Sequence, residues 1–403
     1  MTRKGVWNLQ QVRDKYLQSL WANPIGLWSM GYNSLGALGQ NNRTQYSSPV
    51  QIGSNDEGWQ ASGPDAAQTY SSINDIAMFA IKNDSTLWAW GSNEYGGSLG
   101  QNQPTNSNRS SPVQIPGTNW KSIGGGNNYV NAVKTDGTLW HWGNNQEGES
   151  GQNEPEDKAH SSPIQIGSDT TWSSSSSAGS HYGVLARKTD GTLWTWGSNE
   201  YGGLGLNNMI SYSSPVQIGS DTTWSDKYTL GLAGIAIKTD GTLWTWGWNM
   251  EGQNGQNQPG NTRYSSPVQI PGTDWALVYK GGGTQSRNSL AVKTDGSLWT
   301  WGDNSRGSLG QNNLTQYSSP VQIPGTWSTT IRPTATNYGR TVMAIKSDST
   351  LWAWGLDYAG QLGQNTQGIH YSSPTQIPGA WGDISIGNHQ TLALRLGLAP
   401  SQL

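Results

Sequence analysis

Cysteine is absent from these 403 residues, which excludes disulfides, thiolate metal ligands and cysteine nucleophiles and leaves the redox compartment open. Charge is scarce too. Only 12% of residues are Asp, Glu, Lys or Arg and the formal net charge is -3, so no electrostatic footprint for nucleic acid or an anionic membrane exists. Nowhere do ~18 apolar residues run together, and Met1-Thr2-Arg3-Lys4-Gly5 leads into mixed polar sequence rather than an apolar signal segment. The expectation is a soluble chain with no classical export signal and no membrane insertion. Phenylalanine is nearly missing, with Phe79 alone against 23 Trp.

The tryptophans are there because a phrase repeats. Leu-Trp-x-Trp-Gly starts at Leu27, Leu87, Leu139, Leu193, Leu243, Leu298 and Leu351, with Met30 replacing the second Trp of the first copy. A period of this size marks a repeat architecture. Thirteen Trp lie in these phrases, and seven more open a second recurring segment at Trp59, Trp120, Trp172, Trp224, Trp275, Trp327 and Trp381. Each indole can remove ~150 to 250 Å² from water, worth about 4 to 6 kcal/mol gross, so a tryptophan ladder can make a core that is poor in aliphatics.

Each period divides into four short strands. In the third, the candidates are Trp120 to Ile123, Val130 to Lys134 and Thr138 to Gly143, with Pro112 to Ile115 in the linker before them. Lys134-Thr135-Asp136-Gly137 joins the middle pair. An Asp-Gly pair between alternating runs signals a hairpin, and it recurs at Asp190, Asp240 and Asp295, with Asp-Ser at Asp84 and Asp348. Within a phrase such as Leu193-Trp194-Thr195-Trp196 the two Trp share one face and Leu and Thr the other; neither face is charged, so both are expected to be covered. The Gly and Asn loops that follow read as turn chemistry. Ser-Ser-Pro-Val-Gln-Ile suits an outermost strand, where proline is tolerated.

The two ends complement each other. The repeats begin at Gly26-Leu27-Trp28 without the Trp-opened segment or its hairpin strand, and they finish at Trp381-Gly382-Asp383-Ile384 and Thr391-Leu392-Ala393-Leu394 without a phrase. A ring joins these halves. The expected fold is all-β, a single seven-bladed β-propeller of four-stranded antiparallel blades over residues 25–397, with N- and C-terminal strands sharing one blade. Residues 398–403 form a tail. Residues 1–24 form an arm in which Asn8 caps a short amphipathic helix bearing Trp7, Leu9, Val12, Tyr16 and Leu20. That stripe must rest on the propeller or on another protein.

Taken together, Trp-x-x-Ile-x-x-Gly, Lys-Thr-Asp-Gly, Leu-Trp-x-Trp-Gly, Asn-x-x-Gly-x-Leu-Gly and the Pro-Val strand resemble the repeat of the regulator of chromosome condensation family, of bacterial or viral type. The resemblance implies the propeller fold. It leaves function open, because the family includes a guanine-nucleotide exchange factor for a nuclear GTPase and a secreted inhibitor of β-lactamases. The histidine that often follows the inner-strand glycine is kept only at His181 and His389. The arm segment Lys4 to Asp14 is similar to a short stretch in virion and tail-associated proteins of tailed bacteriophages.

No catalytic constellation emerges. The histidines His141, His160, His181, His370 and His389 lack zinc spacing, Glu154-Pro155-Glu156-Asp157 lacks the calcium-loop frame, and neither a P-loop nor a Gly-x-Ser-x-Gly elbow occurs. The chain is expected to be non-enzymatic, with no cofactor and no metal. Binding candidates are the aromatic and Arg residues that break the consensus: Tyr95, Tyr201, Trp248, Arg306 and Tyr358 after the phrase, and Tyr129, Tyr182, Arg287 and Arg340 before the hairpin strand. The expected role is a phage virion component, attached through the arm to another virion protein and presenting its loops to a neighbour or to a host-surface protein or glycan. The alternative is a free protein-binding propeller, inhibitor or exchange-factor-like, in the host cytoplasm.

Overall fold

A computed structural model describes residues 26–54, 58–60, 70–73, 77–94, 96–126, 128–154, 158–176, 183–258, 260, 262–280, 287–335, 340–386 and 389–396. The described strands form seven four-stranded antiparallel sheets. Six are consecutive in sequence; blade 4, for example, runs Trp224–Leu230, Ala233–Lys238, Leu243–Gly247 and Tyr264–Ile270. Counting from the sheet that starts at Tyr70, blades 2 to 6 open at Trp120, Trp172, Trp224, Trp275 and Thr334. Blade 7 takes Trp381–Ile386 and Gln390–Arg395 from one end of the chain and Gly26–Gly31 and Tyr46–Ile52 from the other. Leu27 pairs with Leu394 across that seam. The expected closure within one shared blade is therefore present.

The first strand of every blade touches the first strand of the next in unbroken cyclic order, which puts those strands around the axis and the Ser-Ser-Pro strands on the rim. One hydrophobic cluster fills each of the seven blade interfaces. Leu185, Leu193, Leu204 and Ile218 of blade 3, for example, meet Trp224, Tyr228, Ala236 and Trp246 of blade 4. The two-residue period is what makes this possible, since Leu193 faces blade 4 while Trp196 faces blade 2.

Three local devices repeat with the blades. The second Trp of a phrase donates its indole N–H backwards across the interface, as Trp246 does to the Gly203 carbonyl at 2.7 Å. The first Trp is half-buried rather than sealed between blades. Its ring is covered by the turn lysine, with Lys238 Nζ 4.1 Å and Lys188 Nζ 4.0 Å from the centroids of Trp244 and Trp194. Its N–H also meets the turn: Trp194 donates to Thr192 Oγ1, which donates to Asp190. The third device is a latch in the Asn loop. The N–H of Asn257, held at φ 53°, donates to Ser318 of the next blade at 2.8 Å, and equivalent bonds run all the way round to Asn365 and Ser47. These loops are thus inter-blade fasteners as well as turns.

The Asp-Gly hairpins exist, with a turn type different from the two-residue form that an Asp-Gly pair favours. The Gly137 N–H donates to the Lys134 carbonyl and only Gly137 has positive φ, at 79°, so the turn is type I followed by a left-handed residue. Asp136 stays right-handed because its carboxylate accepts from both the N–H and the hydroxyl of Thr138. Glycine is obligatory elsewhere for a different reason. A Cβ on Gly302, at φ 106°, would sit 2.1 Å from the Arg287 carbonyl oxygen.

No helix occurs among the described residues. The arm of residues 1–24, with Trp7, Leu9, Val12, Tyr16 and Leu20, lies outside them, so the expected helix has no structural support. Residues 398–403 also lie outside.

Candidate functional site: the loop face

Antiparallel strands return each blade's first-to-second and third-to-fourth loops to one face of the disc, and the seven described candidate binding residues belong to those loops or their edges. The opposite face carries the Asp turns. Tyr95 and Tyr182 lie outside the described residues.

Two of the candidates come together. Tyr201 of blade 3 and Trp248 of blade 4 meet with ring centroids 5.8 Å apart, the planes tilted by 41°. Arg263 caps the Tyr201 ring at 5.0 Å, and Met250 is 45% exposed on the same loop as Trp248. A hydrogen bond to Glu200 raises the pKa of the Tyr201 phenol, and burial adds to the effect. The loop is seated on its neighbour, because Gly203 packs against the Leu232 carbonyl of the adjoining blade. The aromatic pair is therefore held by two blades rather than by one mobile loop.

The remaining candidates divide. Tyr358 is 67% exposed and meets His389 at 5.2 Å with the rings tilted by 40°; Tyr32 approaches the same imidazole edge-on at 6.3 Å. Burial lowers the His389 pKa, so this second aromatic group is neutral at physiological pH. Arg306 is exposed and Arg340 half-buried. Arg287 reaches Glu251 of the preceding blade at 3.5 Å, and Gln316 donates to the same carboxylate. Tyr129 is fully buried, its hydroxyl donating to the Gly183 carbonyl at 2.6 Å, so it fastens blades 2 and 3 and is unavailable to a partner.

Arg263, Met250 and Tyr32 were not among the sequence candidates. Met250 lies two residues after Trp248, whereas Arg263 ends the same loop and its approach to Tyr201 is a relation between blades. Tyr32 directly follows a phrase, in the position Trp248 occupies in its own repeat.

The axis holds a further residue whose role sequence could not show. Arg332 Nη2 donates to the Asp226 carbonyl at 2.7 Å, crossing from blade 6 to blade 4. Burial lowers its pKa, opposed by the carboxylates of Asp226 and Asp383 and the phenols of Tyr228 and Tyr279. These four belong to first strands of blades 4, 5 and 7, so Arg332 ties opposite sides of the channel. Among the described residues no group of three or more His, Asp or Glu could hold a metal ion.

The fold and this face define a closed seven-bladed propeller with consensus-breaking residues gathered on its loops. Three stretches of it, residues 190–226, 295–334 and 348–394, match the model described as "Regulator of chromosome condensation (RCC1) repeat". The chain is 26% identical to the ultraviolet-B receptor UVR8 of Arabidopsis thaliana over 83% of its own length and 74% of that protein's. It is 33% identical to the Protein RCC2 homolog of Danio rerio, over 30% of this chain and only 24% of the relative. Among solved structures, Prp20p from Saccharomyces cerevisiae aligns with a TM-score of 0.78 at 17% identity, covering 94% of this chain and 93% of that one. Human WBSCR16 aligns at 0.75 and 19% identity, covering 92% and 99%. At these identities the two structures establish the fold alone. The bacterial or viral type and the phage virion role gain no support from these relatives.

Proposed function

We propose that this protein is a non-enzymatic, protein-binding propeller that engages its partner through the loop face, with Tyr201 and Trp248 as the anchor and Arg263 and Met250 beside them. The observation carrying this reading is the contact of two consensus-breaking aromatics contributed by adjacent blades, with a guanidinium over one ring and an exposed methionine in the same loop. Aromatic and Arg side chains on a pre-organised scaffold are the residue types that dominate interface hot spots. Relatives of the same architecture support it: the solved structure of Prp20p is described with its binding to Gsp1p and histones, and that of yeast RCC1 (Prp20) shows it bound to Kap60. A regulator of this kind fits better than a virion component, whose attachment arm lies outside the described residues.

The test is affinity capture with the whole chain beside the Tyr201→Ala/Trp248→Ala double variant. The half-exposed pair can be truncated without opening a core cluster, so circular dichroism should be unchanged. A partner captured by the parent and lost by the variant is the expected result; equal capture by both would remove the loop pair from the interface.

A further inference from the structure

Gly26, the first described residue, opens a strand whose next residue, Leu27, lies directly opposite Ile52 on the rim strand of blade 7. Leu27 and Ile52 both face blade 1, in the cluster that also holds Met78 and Trp90. Along this seam runs a groove of about 480 Å³, with Ile52 and Gly53 on the blade 7 side and Trp88 and Pro112 on the blade 1 side. The chain therefore enters the propeller one strand spacing, about 5 Å, from the lining of the groove. Twenty-five residues precede Gly26 and lie outside the described ones.

The groove combines apolar walls with one open acceptor. Lys82 Nζ lies over the Trp88 ring, 4.3 Å from its centroid, yet the indole stays half-buried, and so does Pro112 beside it. Gln40, also in the lining, is oriented, because its Nε2 donates to the Gln51 carbonyl at 2.9 Å. With the amide nitrogen tethered, Oε1 is held as an acceptor on which no described hydrogen bond falls. Such a site suits an apolar side chain that carries a single N–H donor, and an indole is that group.

We propose that this groove is the seat of the chain's own N-terminal arm, filled by Trp21, whose indole N–H donates to Gln40 Oε1. Two facts select this occupant. Trp21 stands five residues before Gly26, a reach of at most about 17 Å, which is more than three times the spacing to be crossed. A short tether of this kind holds the segment at an effective concentration in the millimolar range, which a free ligand would have to match. Trp21 is also one of three tryptophans, with Trp7 and Trp248, that belong to no repeat position, so no blade core claims it. A similar groove of about 360 Å³, lined by Gln256, Trp299 and Pro320, lies at the seam of blades 4 and 5, three blades away and beyond the tether. Seated in this way, the arm straps the blade shared by the two chain ends to blade 1. The inference is independent of the protein-binding reading, because it uses no loop-face anchor.

The absence of native cysteine lets engineered thiols read the contact in the whole chain. Ala22→Cys/Ser111→Cys puts one thiol next to Trp21 and the other in the lining of this groove, while Ala22→Cys/Ser319→Cys uses the matching serine of the distant groove as the control. Under mild oxidation of dilute protein the first pair should form an intramolecular disulfide at least tenfold faster than the control. Adding Trp21→Ala or Gln40→Leu should slow it at least fivefold; Leu206 naturally stands at the Gln40 position in blade 3, so Gln→Leu is compatible with the fold. In the Ala22→Cys single variant, maleimide labelling should likewise be at least fivefold slower than in Ala22→Cys/Trp21→Ala. A disulfide rate and a labelling rate both indifferent to Trp21→Ala would reveal a tether without a seat and overturn the proposal. Disulfides formed only between molecules would overturn it too, by assigning the groove to a second copy.

Discussion

The backbone N–H of Asn365 donates to the carbonyl of Ser47 at 2.9 Å, so the loop of blade 6 is latched to a strand from the other end of the chain. It is the seventh of a set, and the six before it join blades that are neighbours in sequence. The ring therefore closes with the same fastener it uses throughout.

The latch depends on a left-handed asparagine. At Asn257, φ is 53°, a conformation that costs an ordinary L-residue about 1–2 kcal/mol and a β-branched one more. Asn257→Val should lower unfolding free energy by about 2 kcal/mol, whereas Asn257→Gly should stay within about 0.5 kcal/mol of the parent. Denaturant titration of both variants measures the difference; equal losses would show that side-chain contacts, not φ, set the requirement.

A second test uses the gap in the tryptophan series. Six phrases send an indole N–H to the preceding blade, and the seventh has Met30, packed against Gly363. The equivalent acceptor is the Gln361 carbonyl, which takes the Thr391 hydroxyl at 2.9 Å. At the seam of blades 4 and 5 one carbonyl, that of Gln253 of blade 4, accepts from both Trp301 and Ser289 of blade 5, so the two bonds are compatible. Met30→Trp should raise stability by about 1 kcal/mol, and Trp246→Phe should lower it by about the same or more. Calorimetry of both variants checks the pair, and a destabilised Met30→Trp would refute the equivalence.

Acid should find His141. It is fully buried, with Asn131 Oδ1 3.2 Å from its Nδ1, and burial, helped by the charge of His160, brings its pKa down to about 3. A protein group whose folded pKa is depressed below the unfolded 6.5 favours unfolding as pH falls, because only the unfolded chain takes up the proton between 6.5 and about 3. The slope from this group approaches about 1.4 kcal/mol per pH unit, so about 2 kcal/mol should be lost between roughly pH 6.5 and 5. The repeat offers the remedy: Thr245 and Thr300 occupy the same position and donate to loop carbonyls. His141→Thr should flatten the pH dependence in that window; an unchanged slope would place the titration elsewhere.

Below that window the turn lysines matter. Burial works against ionisation of Asp169 and Asp221, yet hydrogen bonds from Lys188 and Lys238 and from Thr171 and Thr223 outweigh it and hold both pKa values at about 2. Their stabilisation is complete above roughly pH 4 and disappears as pH falls through about 2. Lys188→Met keeps much of the packing over Trp172 and Trp194 and removes the charge, so the Asp169 pKa should move up towards 3.8, as followed by carboxyl NMR titration. An Asp169 pKa unmoved by the substitution would mean that Thr171 alone sets it.

Much of this architecture was legible beforehand because repetition turns one local reading into seven. The period-two alternation of Leu193 and Trp196 specified a blade covered on both sides, and the half-motifs at Trp28 and Trp381 specified the shared blade. What escaped were relations between periods. Lys188 reads as a turn residue until the fold lays it across two indoles, and Asn257 reads as a loop residue until Ser318 arrives beside it. The binding candidates divided on the same ground. Tyr201 and Trp248 sit at different offsets from their phrases, so their contact was invisible in sequence, and Tyr129 looked like a loop aromatic although its hydroxyl is spent on the neighbouring blade.

The central claim is that both chain ends build one blade. Because the chain has no native cysteine, a Leu27→Cys/Leu394→Cys variant isolates the question, and directly opposed residues of an antiparallel pair lie within disulfide range. Mild oxidation of dilute protein should give an intramolecular disulfide, seen as a faster band on a non-reducing gel and a higher melting temperature. Two free thiols after oxidation, or only intermolecular dimers, would contradict the closed ring.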